Sequence, residues 1–309
     1  MTLPLTIIIP VYNRPAALAL ALRSIARQSA LPAEIIVVDD ASAPPVAIDP
    51  AIATRLPVRL LRHDTNRGAA AARNTGLRAA ISDWVGFLDS DDRLLEHSLS
   101  ARWALVAERV RQGGAARTIF GCAWLDYAPP ASPLGIRAPH PATQPAAFAA
   151  GCWFSPGSCV FLNRAAVLDV GLEDERLGRF EDVDWFYRLA RAGFRLEVLP
   201  VVGVAIERRR TNAPVAIEAA ARTLLEKWRD APAVDRRNLE SYMDLEMAAV
   251  WYFAGDRRRA LVSLIRSLLR VPRLSLQLSP GWVRSAATAA HEAELAWFDR
   301  EPAAGPPAR

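Results

Sequence analysis

The chain has 309 residues, of which 51% are hydrophobic, so global disorder is excluded and one small domain cannot hold it. Its net charge of +5 rests on arginine, since only Lys227 is lysine, and no basic run exceeds the triplets 208–210 and 257–259, which argues against nucleic-acid binding. Cys122, Cys152 and Cys159 are odd in number and form no CxxC, so free thiols are expected in place of a disulfide framework or a zinc site.

In chain order, Leu5–Pro10 (LTIIIP) is an unbroken β-branched run of the kind that forms a strand buried on both faces. A helix follows over 15–29, opened by Pro15. Glu34–Asp39 (EIIVVD) and Val58–Leu61 (VRLL) are the next strands, 68–81 is a helix weakened at Gly76, and Trp84–Leu88 (WVGFL) is a fourth strand. This rhythm predicts an α/β fold, Rossmann-like, with a mostly parallel sheet flanked by helices. Beyond it we expect a helix over 97–112, a strand over 117–125, and a loop over 128–145, where six prolines fall between Pro129 and Pro145. Then come a strand at 158–163, a short helix at 164–169, a helix at 182–193 stopped by Gly193, and two short strands within 195–207. From 213 to 309 the pattern is helical, with segments at 214–229, 236–254, 256–270 and 282–299. The division is therefore a catalytic-type domain over 1–212 (halves 1–115 and 116–212) and an α-helical C-terminal region over 213–309.

Polar clusters stand at the strand ends: Pro10-Val11-Tyr12-Asn13-Arg14, Asp39-Asp40, Asn66-Arg67-Gly68 with Arg73, and Asp89-Ser90-Asp91-Asp92. Parallel strands place their carboxyl ends side by side, where ligands gather. Neither GxGxxG after the first strand nor GxxxxGK[ST] occurs, so neither common phosphate-cradling loop is present. Asp89 and Asp91, two apart on an extended chain, point to one side and could present oxygens to Mg²⁺ or Mn²⁺, which would in turn neutralise diphosphate oxygens. Each cluster has a plainer explanation as well. Asp89 to Asp92 and Asp39-Asp40 can serve as caps, Glu181-Asp182 can sit at a helix N-terminus for its dipole, Tyr12 and Trp185 can be packing rings, and Arg73 can form a surface ion pair.

Five segments in order, LTIIIPVYNR, IIVVDDAS, NRGAAAARNTGL, WVGFLDSDDRL and RFEDVDWFYRLARAGFRL, resemble family 2 glycosyltransferases with the GT-A fold, over about residues 3–205. The resemblance implies that Tyr12 lies against the nucleobase and that Asp40 accepts a hydrogen bond from a uracil-like ring. It implies that Asn66 and Gly68 shape the loop, and that Arg73 approaches the diphosphate. Asp89 and Asp91 would form the DxD element, with Asp91 or Asp92 as the second metal ligand. Asp182, after Glu181, would be the base that deprotonates an acceptor hydroxyl for attack with inversion, with Trp185 on the same helix as a candidate contact to the sugar.

One departure stands out: where many relatives place a metal-binding histidine, residues 206–211 read IERRRT. His63, His97, His140 and His291 show no ligand spacing and are read as structural or surface residues. A UDP- or dTDP-sugar donor and a glycan or lipid-linked acceptor are the expected partners, in bacterial cell-surface polysaccharide or glycoconjugate synthesis. A catalytically inert sugar-nucleotide binder and a sugar nucleotidyltransferase are the alternatives. The first is disfavoured by Asp91 and Asp182, the second by PVYNRP in place of a Gly-rich basic loop. With no basic leader and an apolar run cut at Pro10, the expected location is the cytoplasm. Helix 256–270, basic and amphipathic with Leu261, Leu264, Ile265 and Leu268 on one face, is expected to pack within its own domain, with contact to the inner membrane face as the alternative. A homodimer is a further expectation for 213–309.

Overall fold

The computed structural model of the protein describes residues 1–128, 132–208 and 214–272. β1 (Thr2–Val11) runs through the sheet with Ile7 and Ile9 buried on one face and Ile8 on the other. Both faces are covered, which is why LTIIIP shows no polar alternation. β1 pairs in parallel with β2 (Leu31–Asp39), which pairs in parallel with β3 (Val58–Arg62), and β1 also pairs in parallel with β4 (Trp84–Phe87). α1 (Pro15–Ala26) covers one face and the one-turn α2 (Pro50–Ala53) adds to it. α3 (Ala69–Ala79) covers the opposite face. A Cβ on Gly76 would lie 2.3 Å from Ile8 Cγ2, so the helix that carries Arg73 is seated directly on β1.

β5 (Arg93–Leu94), α4 (Ser98–Gln112), β6 (Thr118–Ala128) and β7 (Ser132–Arg137) follow, then the one-turn helices α5 (Pro145–Phe148) and α6 (Pro156–Cys159). After them come β8 (Val160–Asn163), α7 (Arg164–Val170), α8 (Glu181–Arg191) and β9 (Arg195–Glu207). The strand order is β3-β2-β1-β4-β8-β6-β9-β5, with β7 paired to β6. The first half is parallel, whereas β8 lies antiparallel between β4 and β6. That reversal carries α6, just ahead of β8, to the carboxyl end of β4. The mixed α/β sheet, curled and flanked by helices, is the architecture that the resemblance implies.

Two expectations about strands are corrected. The proline-rich loop expected at 128–145 contains a hairpin, since β6 extends to Ala128 and returns as β7. Pro133 is tolerated because an edge strand leaves one side unpaired. The two short strands expected within 195–207 are one strand, β9, irregular where it passes Cys122 to Trp124.

The C-terminal helices are α9 (Pro214–Lys227), α10 (Ala233–Phe253) and α11 (Arg257–Arg270). The helix expected at 282–299 lies outside the described residues. Ile217, Leu224, Leu239 and Met243 share one apolar core with Val183, Phe186 and Leu189 of α8. Tyr187 donates to Asp235 at 2.6 Å in the buried interior, and Trp228 donates to Asp184 at 2.9 Å. α11 packs against α10 within its own domain, but not chiefly through the apolar stripe. It buries Ala260, Ser263 and Ser267 against α10, while Leu261, Ile265 and Leu269 are exposed. Ser241 and Ser267 hydrogen-bond across that contact, so small polar residues bring the helices together; of the expected stripe, Leu264 and Leu268 are half-buried while Leu261 and Ile265 face out.

Candidate active site

Strand register assembles the site. Val11 pairs with Asp39 and Ile8 with Phe87, while Asp40 N–H donates to Val11 O and Leu88 N–H to Ile8 O. Tyr12, Asp40 and Asp89 therefore leave the sheet at one edge. They line a cavity of about 440 Å³ with Pro10, Asn66, Gly68, Arg73, Asp91 and Glu181. The Tyr12 ring is 47% exposed there.

Asp40 is buried and heavily bonded. Oδ1 accepts from Arg67 N–H at 2.9 Å and lies 2.7 Å from His63 Nδ1, and Oδ2 accepts from Gly68 N–H at 2.7 Å. His63 also meets Thr75 Oγ1 at 2.9 Å, tying Asp40 to α3. Among the described residues Oδ2 accepts this one bond and so keeps acceptor capacity. Asp39 closes the turn: burial would raise its pKa, but bonds from Ser42, Val46 and Arg62 outweigh burial and hold it low. Asn13 does not line the cavity. Its side-chain oxygen accepts from Ala43 N–H and its backbone N–H donates to Ser42, so it braces that turn.

A second cavity, of about 410 Å³, holds Asp182 on its wall and shares Arg73, Asp89, Asp91, Arg179 and Glu181 with the first. The Arg73 guanidinium bridges the two. It donates to Glu173 at 3.3 Å, Glu181 at 3.2 Å and Asp89 at 3.3 Å. Burial alone would weaken its charge, but Glu173, Asp89, Glu181 and Asp182 keep it protonated. Burial, with repulsion from Glu181 and Asp182, pushes Glu173 up to about 8. Burial likewise pushes Asp182 up to about 6, with Glu181 adding to the rise and Arg179 and Arg73 opposing it. Asp182 sits in the first turn of α8, entered through Phe180 at a left-handed φ of 66°. A non-glycine residue there stores about 1–3 kcal/mol of strain, which the surrounding packing sustains.

The three aspartates after β4 differ. Asp89 receives Arg73, and its backbone N–H donates to Ser158 Oγ at 3.0 Å. A Cβ on Gly157 would stand 2.3 Å from Asp89 Oδ2, so only glycine leaves room for that carboxylate. Asp91 accepts from Arg14 at 2.5 Å. Asp92 turns into the protein, taking Ser158 Oγ at 2.6 Å and Glu207 N–H at 3.4 Å, and burial drives its pKa well up. Asp89 and Asp91 are thus the pair facing both cavities, while Asp92 lines only the second.

No group of three or more His, Cys, Asp or Glu side chains is set to hold a metal among the described residues. A magnesium-like cation needs no such cage, because one or two carboxylates plus substrate phosphates complete its shell. Asp89 and Asp91 fit that pattern by donor chemistry. The charge balance points the same way. Asp89, Asp91, Asp92, Glu173, Glu181, Asp182 and Glu207 face Arg73, Arg179 and Arg208 around the second cavity. Even with Asp92 and Glu173 protonated, the carboxylates outnumber the arginines, an excess that a bound cation would offset.

Trp185 is corrected as a substrate contact. It is fully buried, packs edge-on to Phe87 at 6.1 Å, and donates its indole N–H to Gly171 O at 2.7 Å.

The sequence pattern described as "Glycosyl transferase family 2" matches residues 6–167, more than half of the chain. The chain belongs to glycosyl transferase family 2. It is 33% identical over 217 residues to the pre-mycofactocin glycosyltransferase of Mycobacterium tuberculosis, covering 66% of this chain and 43% of that protein, so it spans less than half of that relative's length. It is 25% identical over 273 residues to the amylovoran biosynthesis glycosyltransferase AmsB of Erwinia amylovora, covering 84% of this chain and 89% of that one. Among solved structures, S. aureus TarS residues 1–349 in complex with UDP-GlcNAc superposes with a TM-score of 0.59 at 17% identity, covering 87% of this chain and 81% of TarS.

Several residues of this family 2 site escaped sequence reading. Glu173 and Asn74 are one example: Asn74 bonds both backbone groups of Glu173 at 2.9 Å and Glu175 at 3.0 Å, pinning 173–175 beside Arg73. Their signal, a polar pair a hundred positions apart, has no local period. His63, Ser158, Cys152 and Tyr242 also lack a motif, and tertiary folding alone brings them to the edge.

Proposed function

We propose that this family 2 protein moves a sugar from a UDP- or dTDP-linked donor to a hydroxyl of a glycan or lipid-linked acceptor. The transfer proceeds with inversion and serves bacterial cell-surface polysaccharide or glycoconjugate synthesis. The observation that carries this reading is the meeting of two cavities at Arg73 and Asp89, one bounded by Tyr12 and Asp40, the other by Asp182. Tyr12 lies against the base, and the spare Oδ2 capacity of Asp40 receives a uracil or thymine ring N–H. Arg73 turns its donors to the diphosphate at the junction. Asp182, mostly ionised at neutral pH, takes the acceptor proton as the oxygen attacks from the side away from the leaving group. Asp89 and Asp91 would hold Mg²⁺ or Mn²⁺, which when bound supplies positive charge against the leaving diphosphate.

The names of two similar proteins support the wider role. AmsB is an amylovoran biosynthesis glycosyltransferase, and ExoO of Rhizobium meliloti, 39% identical over 90 residues covering 28% of this chain and 25% of that protein, is a succinoglycan biosynthesis protein. Among the described residues no helix is long and apolar enough to cross a membrane. The outward stripe of Leu261, Ile265 and Leu269, flanked by Arg258 and Arg266, supports docking on an anionic membrane surface.

Thermal-shift screening of UDP-, GDP- and dTDP-sugars with Mn²⁺ tests the donor. UDP- or dTDP-sugars should stabilise the protein, and a response to GDP-sugars alone overturns the pyrimidine reading. Asp182→Asn should keep donor binding and lose transfer. Asp91→Ala, or a chelator, should weaken nucleoside diphosphate binding, and insensitivity to both removes the metal.

A further inference from the structure

The second cavity has a wall that the donor chemistry leaves unused. Beyond Asp182 it is closed by Cys152 and by Tyr242 of α10, the one described residue of the C-terminal helices that lines it. The Tyr242 ring is clamped. A Cβ on Gly151 would sit 2.5–2.7 Å from three of its ring carbons, and Gly151 holds a φ of +116° that disfavours any other residue. Phe180, the strained residue just before Glu181-Asp182, meets the ring edge-on at 6.4 Å. The Tyr242 hydroxyl faces the Glu246 carboxylate one helical turn on and lies within electrostatic reach of Asp182. Burial and these carboxylates raise its pKa, so it stays an O–H donor at any working pH.

We propose that Tyr242 forms the wall of an acceptor subsite that binds a neutral sugar ring, with the Tyr242 hydroxyl bonding a hydroxyl next to the one that Asp182 deprotonates. The subsite rests on the glycosyl-transfer reading and adds what that reading lacks, namely the acceptor's chemical class and a role for α10. Neutrality follows from charge. Asp89, Asp91, Glu181, Asp182 and Glu207 line this cavity against Arg73, Arg179 and Arg208, an excess of carboxylates even with Asp92 and Glu173 protonated, so a uronate or phosphate acceptor would meet net repulsion. A polyol meets paired donors and acceptors, and an aromatic wall gives its ring an apolar face to rest on. Tyr242 is then a specificity-determining residue, and α10 is part of the active site.

Saturation-transfer NMR on the full chain with saturating UDP and Mn²⁺ tests this without requiring turnover. The probes are the methyl glycosides of glucose, galactose, mannose and N-acetylglucosamine, and methyl glucuronide. At least one neutral glycoside should bind, and methyl glucuronide should not. Tyr242→Phe, which keeps the clamped ring, should weaken that glycoside about three- to tenfold, the loss of one hydrogen bond, and leave UDP affinity unchanged. Glu246→Gln, which changes only a neighbour of the Tyr242 hydroxyl, should weaken it less and still exclude methyl glucuronide. Equal binding of the glucuronide by the native chain, absence of binding by every neutral glycoside, or indifference to Tyr242→Phe each overturns the subsite. Failure of the transfer reading has a different signature: glycosides bind and respond to Tyr242→Phe, yet no sugar nucleotide releases UDP or dTDP.

Discussion

The pH dependence of turnover tests Asp182 as the base. Its pKa of about 6 arises from burial and from Glu181, against the pull of Arg179 and Arg73, with Glu173, Cys152 and Tyr242 also facing it. A base must be ionised, so activity should rise with pH through about 6. The ionised fraction falls from about 0.9 at pH 7 to about 0.09 at pH 5, a roughly tenfold loss of kcat/KM, whereas an ordinary aspartate would lose less than about a tenth. Two variants separate the causes. Glu181→Gln removes a neighbouring negative charge and should move the acid limb down. Arg179→Gln removes a positive one and should move it up. Adjacent charges at a partly buried site interact by about 1–2 kcal/mol, so each displacement should be about 0.7–1.5 pH units. The assay is release of nucleoside diphosphate from whichever donor the thermal screen selects, from pH 4.5 to 8.5 in buffers of constant ionic strength. A native acid limb near pH 4, or displacement of both variants in one direction, refutes the electrostatic account of Asp182.

Gly157→Ala should leave the melting temperature nearly unchanged, because the Asp89 carboxylate can swing away, but a shift of about 1 Å at that group should cost roughly a hundredfold in kcat/KM. Retained activity would show that Asp89 placement is not needed. Tyr187→Phe strips the buried partner from Asp235 and should lower stability by about 1–3 kcal/mol, read from denaturant midpoints, without moving donor affinity. Ile265→Glu should abolish co-sedimentation with phosphatidylserine vesicles at low salt while leaving nucleotide binding intact, and unchanged sedimentation would exclude α11 as the membrane contact.

Much of the site was legible because it is built from strand ends. LTIIIP, EIIVVD and WVGFL announce buried parallel strands, and parallel register alone then brings Tyr12, Asp40 and Asp89 together. What stayed hidden depends on contacts with no sequence period. The burial of Trp185 and the inward turn of Asp92 follow from Gly171 and Ser158, residues contributed by other segments. α11 misled for a different reason. Its apolar stripe predicts a buried face, but Ala260, Ser263 and Ser267 allow a closer approach to α10 than leucines would, and tight packing on small residues won. Pro133 misled as well, since a proline reads as a strand breaker until its strand proves to be an edge.

The core shared by α8, α9 and α10 sets how this protein can be taken apart. A chain ended at residue 212 would keep every motif that marks the family yet strand Tyr187, Asp184 and the apolar flank of α8 in water. The same bonds mean that the last helices cannot be traded between relatives as a loose cassette. A graft that carries Asp235, Trp228 and Asn238 must find Tyr187, Asp184 and the Ala146 carbonyl waiting on the recipient. Diversification is therefore expected to follow matched pairs of faces, with new acceptor preferences arising by point changes around position 242 and not by wholesale exchange.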